Sequence, residues 1–111
     1  MIEKVILDYL SESLDVDVRM ERPTDPPEKY VIIEKTGSGR YNLINNSTIV
    51  VQSYAHSMYE AAELNEGVKA AMFDAIKLNE IGRVGLNSDY NYTDSSMKQY
   101  RYQAVFDITH Y

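Results

Sequence analysis

Tyr100-Arg101-Tyr102-Gln103-Ala104-Val105-Phe106-Asp107-Ile108-Thr109-His110-Tyr111 alternates apolar and polar side chains with a period of two. Tyr100, Tyr102, Ala104, Phe106 and Ile108 fall on one face. Arg101, Gln103, Asp107 and Thr109 fall on the other, with Val105 as the exception. That period is the mark of a strand with one buried face. A strand this apolar at the end of a sequence frays unless a sheet holds it, so the rest of the chain must supply partners. Removing Phe106–Tyr111 is therefore expected to prevent folding rather than trim a tail.

The hydrophobic period changes along the chain and so divides it into elements. Ile2, Val5, Ile6, Tyr9 and Leu10 follow the spacing of one buried helical face. Leu14, Val16, Val18 and Met20 then alternate with Asp15, Asp17, Arg19 and Glu21, as a half-buried strand does. Every proline lies in Arg22-Pro23-Thr24-Asp25-Pro26-Pro27, which reads as an extended connection. Tyr30-Val31-Ile32-Ile33-Glu34-Lys35 is apolar on both faces and predicts an interior strand, with Gly37-Ser38-Gly39 expected to break it at a flexible tip. A further strand follows, secure from Thr48 to Tyr54, and pairs with it as a long antiparallel hairpin. Asn45-Asn46 reads as a bulge or a separate turn.

Ser57-Met58-Tyr59-Glu60 is a capping box and starts a second helix that runs to about Leu78. Its buried face is expected to carry Met58, Ala61, Ala62, Asn65, Val68, Met72, Ala75 and Ile76, with Gly67 marking close packing on the sheet. Val84 and Leu86 predict a short strand, and Asn87 to Ser96 a polar loop. The order helix, strand, hairpin, helix, strand, strand implies an α+β fold: a mainly antiparallel, curved sheet of four to five strands packed against two helices.

A chain of 111 residues forms one domain, 1–111. It has no cysteine, which excludes disulfides and thiolate metal sites. No apolar run is long enough to span a membrane and no secretory leader is evident, so cytoplasmic synthesis is expected. The net charge of −6 argues against a grip on phosphate backbones.

Few residues suggest chemistry. His56 and His110 are the only histidines, and neither belongs to a metal-binding motif. No serine sits in a nucleophile elbow, and Gly37-Ser38-Gly39-Arg40 lacks the spacing of a phosphate loop. Asp15, Asp17, Glu21 and Asp25 read as a solvated acidic face. No catalytic, metal or cofactor residue is expected. The skewed component is tyrosine: ten, against two Phe and no Trp, with five between Tyr90 and Tyr111. Tyrosine is favoured at interfaces. The candidate contact residues are therefore Tyr90, Tyr92, Tyr100, Tyr102 and Tyr111, with Arg40 and Tyr41 from the hairpin. Asp89-Tyr90-Asn91-Tyr92-Thr93-Asp94 is the most function-like loop. A different reading, a small enzyme or ligand-binding module, would have Tyr90, Tyr92, Tyr102 and His110 line a pocket.

Several stretches, in order, resemble the tail terminator (tail-to-head joining or tail completion) proteins of long-tailed bacteriophages and prophages. They are Val18–Pro23, Tyr30–Lys35, Ile49–Ala55, Ser57–Asn65, Leu86–Tyr92 and Tyr100–Phe106. The resemblance implies a non-enzymatic virion protein with a curved antiparallel sheet against helices. It implies a homo-oligomeric ring, usually six-fold, seated on the tail tube at the tail–head junction. The implied partners are the chain itself, the tail tube protein and the head–tail connector, with DNA only passing through and no membrane. A neighbouring head-completion or minor capsid role is the structural alternative.

Overall fold

The computed structural model describes residues 1–94, 96 and 99–111. Helix α1 (Ile2–Ser13) leads into strand β1 (Asp17–Arg19). A hairpin of β2 (Tyr30–Tyr41) and β3 (Ile44–Ala55) follows. Helix α2 (Met58–Asp74) ends in a 3-10 turn (Ala75–Lys77), and β4 (Ile81–Asn91) and β5 (Tyr100–His110) complete the chain. The strands form one sheet in the order β1-β2-β3-β5-β4. Three pairings are antiparallel and β1–β2 is parallel. The architecture is thus α+β, with a mixed sheet.

Both helices pack on one sheet face because their apolar stripes match it. Ile2, Ile6, Tyr9 and Leu10 of α1 join Ala61, Val68, Met72 and Ala75 of the second helical segment in burial. Against them lie Val31 and Ile33 of β2, Ile49 and Val51 of β3, and Ala104, Phe106 and Ile108 of β5. The last strand is interior: Phe106 sits between Ile49 on β3 and Leu86 on β4. The α2 start is capped as its sequence requires, the Glu60 amide donating to Ser57 Oγ at 3.1 Å.

Six local expectations are overturned. Gly37-Ser38-Gly39 is not the hairpin tip: these residues pair with Thr48, Ser47 and Asn46 inside the ladder, after a bulge between Lys35 and Gly37. The turn is Asn42-Leu43, whose φ angles of 50° and 68° are both positive, as a two-residue type I′ hairpin turn requires. Asn45-Asn46 likewise belongs to β3. The supposed loop from Asn87 begins as strand, because β4 continues to Asn91. A bulge between Leu86 and Ser88 breaks its alternation, and an edge strand tolerates the polar residues that hid it. Tyr92, Thr93, Asp94 and Ser96 of that segment lie beyond β4, and Ser95 lies outside the described residues. Gly67 faces solvent beside Leu14 rather than the sheet, and Ile76 is exposed rather than buried. The first predicted strand shrinks to Asp17–Arg19, pairing only with Tyr30, Val31 and Ile32 at the sheet edge.

Candidate assembly surface

The helices cover one sheet face and leave the other to its own side chains. On that uncovered face Tyr30 and Tyr54 stack with ring centroids 4.6 Å apart and nearly parallel planes. The Arg101 guanidinium lies between Tyr54 and Tyr92, 5.5 and 4.4 Å from their centroids. Its Nη1 donates to the Tyr54 hydroxyl at 2.9 Å and its Nε to the Tyr92 carbonyl at 2.8 Å. The Tyr54 hydroxyl donates to Gln52 Oε1, Gln52 Nε2 to Gln103 Oε1, and Gln103 Nε2 to the Tyr90 hydroxyl at 2.6 Å. Tyr90 and Tyr92 close the chain edge to face at 5.8 Å. Cross-strand register makes this possible, because residues directly opposite in a ladder point to the same side. Gln52 opposes Gln103, and Gln103 opposes Tyr90.

Tyr30 anchors the inner end of this network. Its hydroxyl donates to Gln99 Oε1 at 3.0 Å, the same atom that receives Arg22 Nη2. Burial pushes its phenol above the ordinary range, against the opposing pull of the Arg22 charge. The proline-bearing connection is thereby tied to the start of β5.

The sequence-selected residues do not form one patch. Tyr90 and Tyr92 meet on the uncovered face. Tyr100 and Tyr102 belong to the helix-covered face of β5, opposite Ala55 and Ser53. Tyr111 lies at the other end of the sheet, where its amide donates to the Glu80 carbonyl and its ring covers Gly82. Arg40 and Tyr41 sit at the hairpin end, Tyr41 74% exposed. The pocket expected from Tyr90, Tyr92, Tyr102 and His110 is likewise dispersed. The tyrosines straddle two faces, and His110, opposite Asn45 and Ile81, is at the far end of β5. Concave surfaces occur at other places, one lined by Met1, Val5, Tyr9 and Leu78 and another by Leu7, Val18 and Met20.

His110 brings a Ser–His pair that the sequence did not announce. Ser47 Oγ lies 2.8 Å from His110 Nε2, with Glu3 and Lys35 nearby, linked at 3.6 Å. Ser47 is only 4% exposed, so its hydroxyl is sealed from any substrate and the pair works as a cross-strand tie. Burial holds the imidazole below its ordinary value. On the helix side, Lys69 bridges Glu66 at 2.9 Å and Asp89 at 3.2 Å. Hydrogen bonding to Glu66 leads the causes that raise its pKa. Among the described residues no group of three or more histidines and carboxylates could hold a metal ion, and no helix is long and apolar enough to cross a membrane.

Sequence reasoning missed the residues that stand out most here. Leu43 is 78% exposed at a positive φ. Phe73, Ile76 and Leu86 are 46%, 48% and 37% exposed; Phe73 lies edge-on to Phe106 at 6.3 Å, Leu86 opposes Phe106 in the ladder, and Ile76 follows Phe73 by three residues in the 3-10 turn. The alternation Tyr41-Asn42-Leu43-Ile44 around an Asn was the available signal for the first of these. The second required the tertiary structure. Comparisons of the sequence with protein-family models and with curated proteins return no match.

Proposed function

We propose that this chain is a non-enzymatic assembly protein, a tail terminator that closes the end of a phage tail tube as a homo-oligomeric ring and presents a surface to the head connector. The carrying observation is the distribution of exposed apolar side chains. They include two separate places, the hairpin end with Tyr41 and Leu43 and the flank with Phe73, Ile76 and Leu86, besides exposed side chains elsewhere such as Tyr59 and Tyr111. Two different patches on one chain suit the head-to-tail contacts from which closed rings are built. The stretches that resemble the terminator proteins also occupy ordered elements: Tyr30–Lys35 in β2, Ile49–Ala55 in β3, Ser57–Asn65 at the start of α2 and Tyr100–Phe106 in β5. In this reading the protein acts in the virion at the tail–head junction, and its net charge of −6 lets DNA pass without adhering.

Electron microscopy of the purified protein, alone and with polymerising tail tube protein, tests the proposal. Rings, together with tubes capped at one end and limited in length, are the expected result. Tubes that neither shorten nor acquire a cap in the presence of excess protein refute it.

A further inference from the structure

Strand β4 pairs against the period of its own sequence. From Leu86 onward the chain alternates, with Leu86, Ser88, Tyr90 and Tyr92 at one parity and Asn87, Asp89 and Asn91 at the other. A regular ladder would keep Tyr90 and Tyr92 on the side of Leu86 and Phe106, toward the helices. The bulge prevents this. Leu86 opposes Phe106 and Ser88 opposes Val105, so Asn87 is the extra residue and every later side chain changes face. Tyr90 comes opposite Gln103 on the uncovered face, and Asp89 opposite Ala104 on the helix side. There α2 meets the carboxylate: Lys69 Nζ donates to Asp89 Oδ2 at 3.2 Å, and Asn65 Nδ2 lies 3.5 Å from Oδ1. On the other face Asn87 Nδ2 donates to Asp107 Oδ2 at 3.1 Å.

We infer that the end of β4 is a two-register segment, and that the Lys69–Asp89 ion pair holds it in the bulged register with both tyrosines on the uncovered face. The second register needs only that Asn87 enter the ladder opposite Val105, which slips the following residues by one. Ser88 then opposes Ala104, Asp89 opposes Gln103, Tyr90 opposes Tyr102 and Tyr92 opposes Tyr100. The slip pairs ring with ring, because Tyr100 and Tyr102 already lie on the helix-covered face, Tyr100 37% exposed, and cross-strand aromatic pairs stabilise a sheet. It brings Asp89 to the face of Arg101, diagonal to it in the ladder. It also carries the Ser88 and Tyr90 hydroxyls to the side of Asn65, whose Oδ1 is sealed from solvent and has no hydrogen-bond partner among the described residues. Asp89, whose carboxylate only accepts, cannot satisfy that atom. Lys69 keeps Glu66, 2.9 Å away, when Asp89 leaves. Strand β4 is at the sheet edge, so the slip disturbs no pairing beyond that with β5. What favours the bulged register is the hold of Lys69 and Asn65 on Asp89, with the Arg101 stack on Tyr92. The face that presents Tyr90 and Tyr92 is thus switchable, and whatever engages Lys69 or Asp89 turns the rings toward the helices. The inference requires the fold alone and does not depend on the ring reading.

Cross-strand nuclear Overhauser contacts between backbone protons read the register directly. The unaltered chain is expected to show Tyr90 against Gln103, with relaxation dispersion at residues 88–92 from exchange with the slipped register. Lys69→Gln is expected to raise the slipped population about tenfold, the size of one charge-assisted hydrogen bond, and to bring up contacts of Tyr90 with Tyr102 and of Tyr92 with Tyr100. Lys69→Arg should keep the bulged register. Deletion of Asn87 removes the extra residue and makes the present register regular. In that background exchange should vanish, and Lys69→Gln should leave the Tyr90–Gln103 contacts intact. If Lys69→Gln shows those contacts alone, with no rise in exchange, the inference is overturned. It is overturned equally if residues 88–91 lose all cross-strand contacts, because the ion pair then holds the strand down rather than choosing its register. Exchange that persists after deletion of Asn87 also overturns it. Asp89→Asn supplies the same comparison where Lys69→Gln does not fold.

Discussion

Replacing Leu43 by glycine should stabilise the folded chain, which is an unusual expectation for loss of a large apolar side chain. The residue sits second in the Asn42-Leu43 turn with φ 68°, where a side chain costs roughly 1–2 kcal/mol. Glycine removes that penalty but has more freedom to lose on folding, which returns about 0.4–1 kcal/mol. Because Leu43 is 78% exposed, the lost burial is only a few tenths of the ~2 kcal/mol that a fully buried leucine contributes. The balance favours Leu43→Gly by roughly 0.5 kcal/mol. Leu43→Ala keeps the strained φ and gains nothing, so glycine should exceed alanine by about 0.5–1 kcal/mol, the reverse of their order within helices and strands. Urea unfolding at low protein concentration reads this as a midpoint raised by a few tenths of a molar at unchanged slope. If Leu43→Ala matches or exceeds Leu43→Gly in midpoint, the strain at this turn is not what holds the leucine in an unfavourable place. The same glycine variant should associate less than the unaltered chain, so that stability and assembly move in opposite directions.

Three further outcomes follow from the core, the cap and the buried histidine. Phe106→Ala opens a cavity between Ile49, Leu86 and Phe73 and should cost about 3–5 kcal/mol, enough to unfold much of the population in chemical denaturation. Ser57→Ala removes the acceptor of the Glu60 amide and should cost about 1 kcal/mol, whereas Ser57→Asp should retain most of the stability. His110, facing Ser47, Lys35, Glu3 and the Met1 amine, is held below its ordinary value of 6.5 chiefly by burial. Its contribution to stability is therefore complete above pH 6.5 and is lost as pH falls through the lower, folded-state value. His110→Gln should flatten the fall in thermal midpoint between pH 7 and 5, and an unchanged slope would assign that fall to other groups.

Elements whose signal is periodic were legible in advance. Ile2 to Leu10 declared a helix, Ser57 and Glu60 fixed the start of α2, and Tyr100 to Ile108 declared a strand that the sheet holds in its interior. What sequence could not show is set by pairing rather than by periodicity. The two glycines at 37 and 39 looked like a turn because glycine weakens strands, yet cross-strand partners hold them in register while Asn42-Leu43 makes the turn. Asn87, Asp89 and Asn91 looked like loop, and only their place on an edge strand shows why polar residues serve there. The tyrosines, adjacent in sequence, separate onto two faces because the side of the sheet each occupies depends on parity and on the Leu86–Ser88 bulge. The Arg101 sandwich joins residues 54, 92 and 101, which no local window contains.

The position of β5 between β3 and β4 also bears on how the chain is made. Among the described residues strand β4 pairs with the sheet only through β5, so from the moment Asn91 is synthesised it has no strand to pair with until His110 follows. At about 5–20 residues per second that interval is roughly 1–4 s. During it β3 also presents an unpaired edge bearing Ile49 and Val51. Closure then joins positions as distant as Asn45 and His110, a non-local step of the kind that slows folding. The nascent chain thus carries an open slot of one strand's width, and any extended segment that enters before β5 is a competitor for it.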